Sequence, residues 1–368
     1  MDDRVREHAR TLVDWGARVE AGDEVVMSVS EGAHDLAVAV AAEVGERGAT
    51  LLSTYDSDEV TRAYLTAHDA DFAEPGHELA MFEAADVYLR LGGGRNTAAR
   101  ADVPPERTQA AAKAGEAVRE ARYDTRWMST VHPTRSLAQQ AGLSYEAYAD
   151  FVYDAVLRDW EALAEEMARM KALLDGGSEV RLVTEGTDLT MSIDGRTAVN
   201  SAASVVYDSH NLPSGEVFTA PYEAEGEVSF DVPMTIRGRR VRDVRLTFED
   251  GAVVDHGAAA GEDVIGEILE TDAGARRLGE LGIGMNRGID RATDAILFDE
   301  KMAGTVHLAL GRAYDACLPA GESGNESAVH TDLITDLRDG GRLEVDGEVV
   351  LRDGVFRWEE GFEEGEER

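Results

Sequence analysis

Gly22-Asp23-Glu24-Val25-Val26-Met27-Ser28-Val29-Ser30 is a tight turn followed by an apolar run, and Val25 to Val29 read as a buried strand. Outward from it, His34 to Gly48 has helical spacing with a closing glycine, and Ala49 to Tyr55 is the next strand. A helix with Asp58 as N-cap follows, a third strand fits Ala85 to Leu91, and Pro105 to Ala121 is helical again. Strands alternating with helices predict a mainly parallel sheet flanked by helices, a three-layer α/β domain. From Ser144 a long helix is expected to run through Trp160 to about Leu174 and to stop at Gly176-Gly177.

Beyond that glycine pair the texture changes. Asp194-Gly195, Asp250-Gly251, Asp346-Gly347 and Asp353-Gly354 each lie between short alternating apolar segments, the local signature of β-hairpins. The expected organisation is residues 1–175 as the α/β domain and residues 176–368 as a β-rich, barrel-like domain with inserted helices. The acidic tail from Glu359 is expected to fray.

Composition narrows the function classes. The 368 residues carry 36 basic and 73 acidic side chains, a net charge of −37, yet 43% are hydrophobic, so the acid coats a folded surface. Lys113, Lys171 and Lys301 are the only lysines, and acid excess with lysine scarcity resembles proteins of salt-loving archaea. A basic partner is the rival explanation, but the acid is spread along the chain. No basic patch exists to neutralise phosphates, which argues against nucleic acid. Cys317 is the single cysteine, so no intramolecular disulfide forms. The start, Met1-Asp2-Asp3-Arg4, lacks the apolar core of a signal peptide, and no apolar run is long enough to span a bilayer. A cytoplasmic protein without membrane association is expected.

Nine histidines are available. His8, His34, His68 and His77 sit in or beside polar helical stretches and read as surface residues. His132 lies in a turn, and His210 and His256 fall in loops. His330 and Asp332 form a His-x-Asp pair in a strand-like segment, where residues two apart project from one face and converge. Taken alone, that pair fits a structural hydrogen bond better than a metal site. The stretch Glu300 to Tyr314 has helical character and places Ala303, His307, Leu310 and Tyr314 on one stripe, where a core histidine is the plain alternative. Glu216 and Glu280 interrupt apolar or glycine-rich runs, and a buried carboxylate needs a partner, for which a cation is the natural choice.

Taken together, several segments are specific. Gly186 to Thr190, Asn211 to Pro221, Leu278-Gly279-Glu280, Leu297 to Met302, His307 to Tyr314 and Asn325 to Asp332 resemble, in order, the motifs of the aminopeptidase T family of metallopeptidases. The resemblance covers roughly residues 180 to 340 and is loose in the first half. It implies a metal-dependent aminopeptidase with two divalent ions per subunit, held by Glu216, Glu280, His307, His330 and Asp332. It also implies peptide substrates with a free N-terminus, and a homodimer. Zn, Co, Mn and Mg all suit such donors. Tyr314 is expected to donate to the oxyanion, and Glu216 or Glu280 to shuttle a proton. Departures lie beside the ligands: Lys301-Met302-Ala303-Gly304 replaces an Asn-Ala-Ala-Ser type of stretch, and Thr331 stands where bulkier residues are common. Two other readings remain. Gly92-Gly93-Gly94-Arg95-Asn96 after a strand suits a nucleotide- or phosphate-binding α/β protein, although it lacks the G-x-G-x-x-G spacing and the P-loop lysine. The other is a metal-binding protein that keeps the fold without catalysis.

Overall fold

The computed structural model describes residues 2–363 and divides the chain into two compact units. The first is Met1–Arg158 with Ala203–Pro213; the second is Asp159–Ala202 with everything from Ser214 onward. The boundary therefore falls before the helix Trp160–Gly176, not after it, and a short segment returns to the first unit from within the second. One continuous helix from Ser144 is replaced by two, Tyr145–Val156 and Trp160–Gly176. The break comes where Asp159 turns out of the helix and accepts a hydrogen bond from the amide of Ala162, starting a new N-terminus.

In the first unit five parallel strands lie in the order Thr50–Asp56, Glu24–Ser30, Val87–Gly92, Arg126–Val131, Asn211–Leu212. The expected strands and helices from Val25 to Leu91 are present, and the fifth strand is the one brought back from beyond residue 202. His8, read as a surface residue, is fully buried: its Nε2 lies 2.7 Å from Thr130 Oγ1, which in turn donates to the carbonyl of Leu212. The Gly92–Asn96 loop does follow a strand, but no helix opens from it; the next begins at Pro105. Its Gly94 carbonyl is held by the hydroxyls of Thr134 and Ser136.

The second unit is mainly antiparallel. Eight strands form one sheet: Ala252–Gly257, Val244–Glu249, Tyr222–Phe230, Thr187–Ser192, Glu179–Thr184, Arg342–Val345, Glu348–Arg352 and Val355–Phe356. Five form another: His330–Asp336, Thr305–Gly311, Leu278–Gly284, Glu216–Thr219 and Val199–Ser201. Asp250-Gly251, Asp346-Gly347 and Asp353-Gly354 close hairpins with both residues at positive φ, the turn whose twist matches its strands. Asp194-Gly195 does not: the chain after it enters the five-stranded sheet instead. Residues 364–368, the end of the acidic tail, lie outside the described residues. Glu359, where the tail begins, is tied down by the guanidinium of Arg287 and the amide of Phe356. Among the described residues no helix is long and apolar enough to cross a membrane.

Candidate metal centre

Four adjacent strands of the five-stranded sheet carry the five residues singled out from the sequence. Glu216 opens Glu216–Thr219, Glu280 lies in Leu278–Gly284, His307 in Thr305–Gly311, and His330 and Asp332 in His330–Asp336. His307 is thus on a strand, not on the helix its spacing suggested, because the strand is buried on both faces and its apolar run has no two-residue alternation. Gly284 faces Glu216, Gly282 faces His307, Ala309 faces both Glu280 and Asp332, and Gly311 faces His330. Residues opposite one another or two apart share a face, so all five side chains rise from the same one. Leu281, Ile283, Val306, Leu308 and Leu333 are buried on the other face, each worth about 1.5–3 kcal/mol of burial that anchors these strands.

Two local features let the face work. The register shifts between Leu278 and Glu280, and such a bulge re-aims the side chain after it. A Cβ on Gly282 would stand 2.0 Å from His307 Nε2, so glycine is what allows the imidazole to lie over that strand.

The side chains converge as two groups that share Glu280: Glu216, Glu280 and His307, then Glu280, His330 and Asp332, with ligand atoms within 4.8 Å of one another in each. His307 Nε2 is 3.0 Å from Glu280 Oε1 and 3.6 Å from Glu216 Oε2. His330 Nε2 is 3.4 Å from Glu280 Oε2 and 3.5 Å from Asp332 Oδ1. His330 Nδ1 donates to the carbonyl of Arg312 at 2.8 Å, which orients the ring and leaves Nε2 for the site. Glu216 Oε2, Glu280 Oε2 and His307 Nδ1 are buried without a hydrogen-bond partner. Buried carboxylate oxygens left unsatisfied between imidazoles are what a divalent cation would complete, so these donors fit a metal.

Electrostatics point the same way. Burial alone would lower both imidazoles, but the facing carboxylates push His307 up to about 9 and His330 up to about 11. Burial raises the Glu216 carboxyl, whereas the two imidazoles hold Glu280, and His330 holds Asp332, below the usual carboxylate range. A site that makes imidazoles this basic has a strongly negative potential, which draws in cations.

Tyr314 follows the His307 strand, and its ring centroid lies 4.9 Å from that of His330 and 5.7 Å from that of Phe218. One residue went unread as part of the site. Lys301 has no exposed surface, and its Nζ stands 3.4 Å from Glu216 Oε1 and in contact with Glu300 Oε1. Burial lifts Glu300 to about 8 despite the ammonium. The available signal was a lysine in a chain with only three, set among Phe298, Met302 and Ala303.

The chain matches the thermophilic metalloprotease (M29) family over residues 1–356. It belongs to the M29 family. Aminopeptidase T of Thermus aquaticus is 30% identical, with 94% of each chain covered, and aminopeptidase 2 of Geobacillus stearothermophilus is 28% identical, with 95% and 96% covered. The solved structure of wild-type AmpT from Thermus thermophilus superposes with a TM-score of 0.83 at 26% identity, over 96% of this chain and 99% of that one. A dioxygenase structure from Pseudomonas putida, with a TM-score of 0.58 and 15% identity, shares the fold alone. This M29 chain is a metal-dependent aminopeptidase, a peptide-bond hydrolase, with an α/β parallel-sheet unit and antiparallel sheets.

Proposed function

We propose that Glu216, Glu280, His307, His330 and Asp332 hold two divalent ions, with Glu280 shared between them, and that the enzyme removes N-terminal residues from short peptides. The observation that carries this is the divided use of Glu280, one oxygen toward His307 and the other, unpartnered, toward His330. Bound there, the ions would activate a water and polarise the scissile carbonyl. The chain supplies the rest. The carboxylate-rich face receives the substrate's free amine and so confines attack to the first residue. Tyr314, beside His330, donates a hydrogen bond to the oxyanion. Glu216 and Glu280 are the carboxylates in reach of a proton to be moved, with the reservation that a ligating carboxylate is a weakened base. Mixed carboxylate and imidazole donors admit Zn, Co, Mn or Mg. A homodimer in the cytoplasm, tolerant of high salt, completes the reading. Leu52, Tyr55, Val60 and Tyr64 are exposed on the first unit as apolar surface suited to a second copy, which sedimentation at molar KCl reports.

The test is hydrolysis of leucyl-p-nitroanilide by metal-stripped protein resupplied with each ion, beside metal content of wild type and Glu280→Gln. Two ions per chain and restored turnover in wild type, with both lost in Glu280→Gln, are expected. Full activity in a folded Glu280→Gln enzyme would remove the shared-ligand reading.

A further inference from the structure

The chain uses arginine for 33 of its 36 basic residues, yet the residue sealed beside the metal centre is a lysine. A fully buried ammonium must be paired, and Lys301 has two partners: Glu300 and Oε1 of Glu216, the latter at 3.4 Å. The other oxygen of Glu216, Oε2, points to His307 Nε2 at 3.6 Å and has no hydrogen-bond partner. The two oxygens of one carboxylate therefore have different occupations, one held by a fixed cation of the protein and one left to the site.

We infer that Lys301 is a positioning residue that restricts Glu216 to a single donor oxygen, keeping the His307 half of the centre short of protein ligands. This rests on the two-ion reading above. The halves differ in this respect. The His307 half has Glu216 Oε2, Glu280 Oε1 and His307 Nε2. The His330 half has Glu280 Oε2, His330 Nε2 and Asp332, whose carboxylate, among the described residues, pairs with His330 and with no lysine, the Lys301 charge reaching it only through space. Three protein donors leave positions for water and substrate, as catalytic sites require, whereas a carboxylate gripping with both oxygens would fill one of them. The ammonium also stands next to the cation it helps to seat, so the His307 half is the weaker of the two sites. Lys301 does not meet the substrate: it is enclosed by the two carboxylates and has no exposed atom.

The probe is Co(II), titrated calorimetrically into metal-free protein and followed by its visible absorption. Intense bands mark four- or five-coordinate ions, and weak bands six-coordinate ones. In wild type two unequal binding steps are expected, with intense bands on the weaker step. Lys301→Met frees Oε1, so the weaker step should tighten about tenfold or more, its bands should weaken, and kcat should fall more than KM changes. Lys301→Gln retains an N–H donor for Oε1 without the charge and should keep the wild-type bands. Unchanged affinities and bands in Lys301→Met overturn the inference, as do two variants that behave alike. Should Lys301→Met fail to fold, the wild type decides alone: weak bands on both steps overturn it. A wild type that takes up no Co(II) removes the two-ion reading and this inference together, whereas two bound ions that ignore Lys301 remove only the inference.

Discussion

Tyr314 is the one residue of the proposed machinery that is not also a proposed metal ligand, so its replacement would separate chemistry from metal loading. Its ring packs against His330 and Phe218, contacts that phenylalanine preserves. Tyr314→Phe should lower kcat by roughly 10²–10³-fold, the cost of one oxyanion donor, with metal content unchanged. Steady-state kinetics beside metal analysis check this, and a kcat within a few-fold of wild type would dismiss the tyrosine. At this scale the sequence was informative where a residue type contradicts its surroundings. Glu216 and Glu280 stand out because acids do not belong in glycine-rich, apolar runs, and the structure buries both. Lys301 was harder to read, since a lysine beside Asp299 and Glu300 reads as a solvated charge; only its full burial in the fold shows that water cannot reach it. His8 is the converse case: among Arg4, Arg6, Glu7 and Arg10 it reads as surface, yet it is buried with Val5 and Ala9 and its ring meets the Thr130 hydroxyl.

The elements that carry the site were partly legible. The strand-like reading of the segment around His330 and Asp332 placed the two on a shared face, and in His330–Asp336 both are half-buried, ahead of the fully buried Leu333, Ile334 and Thr335. Thr305–Gly311 and Leu278–Gly284 are buried throughout, so periodicity vanishes and a short, mostly apolar run fits helix or strand equally. The bulge after Leu278 depends on register with a strand thirty residues away, which no local pattern encodes. Glycine content was the better guide. Gly282→Ala should drive the His307 ring off its position, lowering affinity for one ion and activity together, with a stability loss of about 1–3 kcal/mol from overpacking. Metal titration and denaturant unfolding measure both, and a fully loaded, active Gly282→Ala enzyme would contradict the packing described for this strand pair.

For the whole molecule, the net charge of −37 is the dominant property. Self-repulsion among surface carboxylates opposes the compact state and is screened as the Debye length falls from about 10 Å at 0.1 M salt to about 3 Å at 1 M. The Tm should therefore rise steadily with KCl over that range, as scanning calorimetry reads directly; a Tm that is flat or falls would mean the acids are neutralised by their own arginines. The sequence also conveyed that there are two units, but not that they are interleaved, since Ala203–Pro213 carries no mark of belonging to the first.

That interleaving sets an order of events on the ribosome. The edge strand Asn211–Leu212 pairs with Arg126–Val131 and receives the Thr130 hydroxyl at its Leu212 carbonyl, but it is synthesised only after the whole stretch 159–202. Until Pro213 has left the exit tunnel, the nascent chain holds four parallel strands with one flank bare, an invitation to pair with a neighbouring chain. A stop codon at the apparent boundary near Gly176 would make that exposure permanent, so the first 176 residues are not a self-sufficient fragment.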